Sequence, residues 1–114
     1  MIRTKRIYDS AAAGDGVRVL VDRLWPRGVR KEDARLDAWA KELAPSNELR
    51  RWYHHDRSQF EAFAERYREE LRERPEVAEW RHRAADETIT LLTSAKDPER
   101  SHVSVLSEVL SEPG

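Results

Sequence analysis

The chain contains no cysteine. That excludes a disulfide framework, a cysteine nucleophile and a zinc–thiolate site. A long apolar run is missing too: nothing approaches the ~18 residues of a membrane span. The opening Met-Ile-Arg-Thr-Lys-Arg lacks the apolar centre of a signal peptide. There is no surplus of charge of either sign. Lys and Arg number 21 against 22 Asp and Glu, a net charge of −1, whereas a dominant polyanion binder carries a basic excess. Glycine is scarce, at 4 residues, and no Gly-rich phosphate loop of the Walker or Rossmann kind occurs. With no repeat and no low-complexity linker, the expectation is one domain over residues 1–114, cytoplasmic, with no membrane partner. Cofactor and oligomeric state stay unassigned.

Charged residues make up 38% of the chain and apolar ones 39%, so the few apolar runs carry the fold. Val17 to Asp22 is the strongest. Val17, Val19 and Val21 share one face of a strand and Leu20 lies on the other, so both faces are expected to be covered. Thr88 to Thr93 is a second strong strand. Ile2 to Ile7 reads as a charged edge strand. Leu36 to Leu43 fits a helical face or a strand, and topology favours a strand leading into Ala44-Pro45-Ser46. Ser46 is placed to cap a helix from Asn47 to about His54. Asp56 opens a helix with Phe60, Phe63, Ala64, Tyr67 and Leu71 on one face. Pro75 starts another, striped by Val77, Trp80 and Ala84. A last helix carries Val103, Leu106, Val109 and Leu110. The predicted fold is α/β: a single compact domain with a mostly parallel sheet of about four strands flanked by helices.

In such sheets ligands bind beyond the carboxyl ends of the strands. That rule gathers the loop after Asp22, the turn at Ala44-Pro45-Ser46 and the loop after Thr93. The runs Val-Leu-Val-Asp-Arg-Leu-Trp-Pro-Arg-Gly, Ala-Pro-Ser with Glu48-Leu49-Arg50, and Leu91-Leu92-Thr93-Ser94-Ala95-Lys96-Asp97 resemble the DUF488 family in its short YeaO-like branch. The resemblance covers almost the whole chain and implies a compact α/β domain without assigning an activity. Broader relatives carry Cys-His-Arg at the start of the last helix. Here that stretch is Ser101-His102-Val103, so the histidine is kept and a cysteine-based chemistry is not supported.

Asp22 and His102 are the candidate catalytic residues. A strand-end carboxylate serves as a base or fixes a loop. A histidine in the first turn of a helix tends to stay neutral beside the positive helix end and can act as acceptor or base. Arg23 and Arg27 offer paired donors for phosphate or carboxylate. Lys96 offers a point charge, and Ser101 is a helix cap or a ligand contact. His54-His55-Asp56 fits metal binding poorly, because adjacent side chains diverge. Trp25, Trp39, Trp52 and Trp80 are read as packing. Two functions compete, beside a third reading as a structural or partner-binding domain whose Asp22–Arg loop holds the fold together. One is an anionic small-molecule site, of phosphate or nucleotide class, with hydrolysis or group transfer as its chemistry. The other is a nucleic-acid or protein-binding module without catalysis, resting on the basic Arg27-Gly28-Val29-Arg30-Lys31 segment.

Overall fold

A computed structural model describes residues 1–113. Four strands form one sheet: β1 (Ile2–Arg6), β2 (Val17–Leu20), β3 (Ala38–Trp39) and β4 (Ile89–Thr93). Their order is β1-β4-β2-β3, and every pairing is parallel. Five α-helices accompany them: α1 (Lys31–Ala34), α2 (Asn47–His55), α3 (Phe60–Arg72), α4 (Glu76–Asp86) and α5 (His102–Ser111). The α/β architecture with about four parallel strands is therefore as expected. β4 lies at the centre and all five of its residues are buried, which explains its unbroken apolar and threonine sequence.

The two faces of the sheet are covered differently. Val19, Val21, Ile89 and Leu91 point into the main core, where they meet Leu49 and Tyr53 of α2, Phe63, Tyr67 and Leu71 of α3, Val77 and Ala84 of α4, and the apolar stripe of α5. Leu20 and Leu92 point the other way, into a smaller cluster with Ile7 and Ala34 that Trp25, Val29, Leu36 and Trp39 complete. Loop residues 24–36 and the one-turn α1 thus close the second face. The crossings β1→β2 and β2→β3 run over that face, and the long return from β3 to β4 runs over the helical face. Opposite directions on opposite faces give one hand of crossover, as parallel sheets require.

The second face also carries buried charge. Asp15 and Arg18 are 2% and 5% exposed and form an ion pair. Lys5 reaches Asp15 at 3.1 Å, and Arg18 also donates to the carbonyls of Ala34 and Arg35. The backbone N–H of Ala12 donates to Asp15, burial opposes ionisation, and Lys5 and Arg18 favour it; together they hold the carboxyl at a pKa of about 2. Beside this cluster Gly16 has φ +63° and ψ −129°, a region open to glycine. A Cβ there would also run into the Thr88 carbonyl.

One element is shorter than its sequence suggests. The strand expected over Leu36 to Leu43 is confined to Ala38–Trp39, and Lys41–Leu43 form a 3-10 turn. Ala40 N–H still donates to Leu20 O at 2.8 Å. The turn then carries Leu43 into the helical core. The mixed periodicity follows from this: Leu36 and Trp39 serve one face, and Ala40 and Leu43 the other. Trp39, Trp52 and Trp80 are half-buried, each with a cation over its ring, from Lys41, Arg66 and Arg83 respectively.

Candidate functional site at the carboxyl ends of the strands

β2 pairs with β4 so that Leu20 stands opposite Leu92. Continuing that register places Asp22 opposite Ser94. The Asp22 carboxylate accepts from the Thr93 hydroxyl at 2.7 Å, and from the Ser94 N–H and hydroxyl, each at 2.8 Å. His102 Nε2 stands 3.1 Å from its Oδ1. Four donors thus saturate one carboxylate and tie the ends of β2 and β4 to the first residue of α5. Burial alone would raise the Asp22 pKa. The His102 hydrogen bond and charge, the Ser94 N–H and the Thr93 hydroxyl outweigh it and hold the carboxyl below the usual aspartate range.

The same contacts orient the imidazole. His102 Nε2 is also 3.0 Å from the Val21 carbonyl. A carbonyl and an ionised carboxylate only accept, so Nε2 carries the proton and donates to both. In the neutral ring Nδ1 then holds the lone pair. It has no hydrogen-bond partner among the described residues, and it is absent from the buried unpartnered atoms, so it keeps contact with solvent. Tyr67 packs edge-on against the ring at 6.2 Å between centroids. Its buried hydroxyl donates to Leu43 O, and burial pushes that phenol up.

Asp22 and His102 are therefore brought together. The other candidates are placed differently. Arg23 is committed to backbone: Nε donates to Pro45 O at 3.0 Å and Nη2 reaches Ala44 O at 3.4 Å. Ser101 is buried; its hydroxyl caps α5 by accepting from Val103 N–H and donates to Pro98 O at 2.8 Å. Arg27 and Lys96 are exposed, and their charged groups have no partner among the described residues. Trp25 is taken up by packing: its indole N–H donates to Val29 O at 2.7 Å and its ring meets Trp39 edge-on. In the His54-His55-Asp56 stretch, Asp56 accepts from the Ser58 N–H and hydroxyl, and His54 Nδ1 faces an Arg57 nitrogen at 3.2 Å.

Sequence reasoning missed Thr93 and Ser94 as partners of Asp22. The signal lay in register, since residues just past the ends of neighbouring parallel strands stand side by side. It also left Arg50 without a role. The Arg50 Nε atom is buried and has no hydrogen-bond partner. Two grooves on the molecule lie elsewhere, between α3, α4 and α5 and beside Met1 and α4, with volumes of about 540 and 710 Å³.

The parallel sheet carries a carboxylate–imidazole clasp at its carboxyl edge, and the family model that matches nearly the whole length shows that the chain belongs to the DUF488 family. More narrowly, residues 1–113 match the family model described as the inactive DUF488-N3 subclade. Among similar proteins, the uncharacterized protein Rv3073c of Mycobacterium tuberculosis is 44% identical over 110 residues, covering 96% of this chain and 93% of its own. The uncharacterized protein Mb3100c of Mycobacterium bovis gives the same values. The uncharacterized protein YeaO of Escherichia coli is 43% identical over 113 residues, covering 96% of each chain. No solved structure matches the chain. No helix among the described residues is long and apolar enough to cross a membrane.

Proposed function

We propose that this chain is a non-catalytic domain that binds a small anion, of the phosphate class, at the carboxyl edge of its sheet. The observation that carries the reading is the saturation of Asp22. Its two oxygens already accept from four donors, so the carboxylate frames the site and is not free as a base. The unpaired cations Arg27 and Lys96 belong to loops at the same edge, and the open His102 Nδ1 can accept from a phosphate hydroxyl. A nucleophile is missing. The Ser101 hydroxyl is engaged on both sides, and cysteine is absent. The description of the matching subclade as inactive agrees with a binding role.

Titration of the purified chain with inorganic phosphate, followed by calorimetry, tests this. Binding is expected, and the double variant Arg27→Ser/Lys96→Ser is expected to weaken it about tenfold, the effect of losing roughly 1.4 kcal/mol of charge interaction. A wild-type chain that takes up no phosphate would refute the reading. A phosphomonoester is expected to be recovered intact, so free phosphate released above background would overturn the non-catalytic assignment. The exposed Arg27, Arg30 and Lys31 favour one competing outcome, in which the chain binds DNA or RNA with steep salt dependence and ignores phosphate.

A further inference from the structure

We infer that Tyr8, backed by Arg6, is a stacking platform for the base of a nucleoside phosphate bound at this same edge, an inference that rests on the binding role proposed above. Both residues belong to the carboxyl end of β1. Arg6 stands opposite Thr93, and Ile7 N–H donates to Thr93 O at 2.8 Å. Successive side chains of an extended segment point to opposite sides. Ile7 therefore turns into the smaller core, at 5% exposed, and Tyr8 turns outward, at 48%. Among the described residues, the large apolar or aromatic side chains that stand exposed are Met1, Tyr8 and Leu24. Tyr8 and Leu24 both lie on the carboxyl edge, one just after β1 and the other just after Asp22.

The Tyr8 ring is exposed and yet fixed. Its hydroxyl donates to Arg27 O at 3.2 Å. One face of the ring is covered by the Arg6 guanidinium, whose central carbon is 5.0 Å from the ring centroid. Arg6 is held in turn, because its Nε donates to Ala95 O at 3.0 Å. Ala95 lies between Lys96 and Ser94, and Ser94 donates to the Asp22 carboxylate. Direct contacts thus run from Arg27 through Tyr8 and Arg6 to the loop that holds Asp22 and carries Lys96. Tyr8 belongs to neither apolar cluster, so the ring face away from Arg6 is left to solvent. A side chain already immobilised stacks a planar ligand with little further loss of freedom. Every nucleobase offers a π face for such stacking. A phosphate on Arg27 and Lys96 places the rest of its ester beside this ring, because the Tyr8 hydroxyl touches the Arg27 backbone itself. A ligand that combines a phosphate with a planar base therefore uses the loop cations and the platform together.

Calorimetric titration of the full chain with adenosine 5′-monophosphate, ribose 5-phosphate and inorganic phosphate tests this. The mononucleotide is expected to bind about tenfold more tightly than ribose 5-phosphate, which lacks only the base. Tyr8→Ser is expected to erase that difference and to leave the binding of inorganic phosphate unchanged. Tyr8→Phe keeps the ring, loses the bond to Arg27 O, and is expected to retain most of the difference. A tyrosine that merely fixed the loops would behave otherwise: Tyr8→Ser would weaken all three ligands alike, and that result overturns the inference. If inorganic phosphate binds and the two esters bind equally, the inference alone fails. An oligonucleotide bound more tightly with length, by a chain that ignores the mononucleotide, overturns it in favour of a nucleic-acid partner. If none of the three ligands binds, the binding role itself fails.

Discussion

Two aspartates flank the same strand and are put to different uses. Asp15 stands just before β2 and Asp22 just after it, and both carboxylates are nearly enclosed by donors. Asp15 is met by permanent cations, Lys5 and Arg18, within a closed cluster. Asp22 is met by hydroxyls, one amide and an imidazole. The entry end of the strand is therefore an ion-paired staple for the β1→β2 crossing. The exit end is a hydrogen-bonded clasp whose imidazole keeps one nitrogen without a partner among the described residues. The proposed anion site lies at the exit end, whose partners are not permanent cations. The contrast predicts unequal costs when each carboxylate is removed.

The largest effect belongs to Asp15→Ala. It strands the Arg18 guanidinium, whose side chain is 6% exposed, and breaking such a pair costs about 3–5 kcal/mol. Urea unfolding reads this directly. Gly16→Ala, at the same end, forces a non-glycine residue into a strained conformation against the Thr88 carbonyl and is expected to cost about 3 kcal/mol. Gly28→Ala, at the exit end, shares a positive φ of 79° but meets open space, so only about 1 kcal/mol is expected from the backbone. Asp22→Ala is expected to cost about 2 kcal/mol, since it leaves donors unpaired but strands no lysine or arginine. An Asp22 variant less stable than the Asp15 variant would break the comparison.

The pH dependence sharpens it. Both carboxyls titrate below the ordinary value of about 3.9. The stability each provides is fully present above that value and is lost as pH falls through the folded-state pKa. For Asp15 the window runs down to about 2. Asp15→Asn should flatten the stability profile across that acid window relative to the wild type. The smallest effect is expected for Arg27→Ser, whose exposed side chain has no partner: a change within about 0.5 kcal/mol, with any loss confined to phosphate binding.

Much of the fold was legible because long-period signals survive local noise. The alternation of Val17, Val19 and Val21 against Leu20, and the spacing of Phe63, Tyr67 and Leu71, each have a single geometric solution. The stretch from Leu36 to Leu43 does not, because its apolar residues are divided between two cores by one short turn. At the site, Asp22 and His102 could be paired from topology. The saturation of Asp22 by Thr93 and Ser94 needed the register of β2 on β4. The commitment of Arg23 to backbone carbonyls depends on side-chain paths that no spacing encodes.

The pairing of β1 with β4 has a consequence for how the protein is made. Ile2 stands opposite Ile89, and β4 separates β1 from β2. The first strand to leave the ribosome must therefore wait for the last, which is also the centre of the sheet. Until Thr93 has emerged, β1 and β2 have no common neighbour, and helices α2 to α4, which precede β4, have only the short β2–β3 pair to pack on. Such long-range pairings fold slowly because loop closure precedes any reward from contact. Assembly of this domain therefore awaits β4: a nascent chain stalled before it exposes its apolar stripes whatever their individual helix propensity.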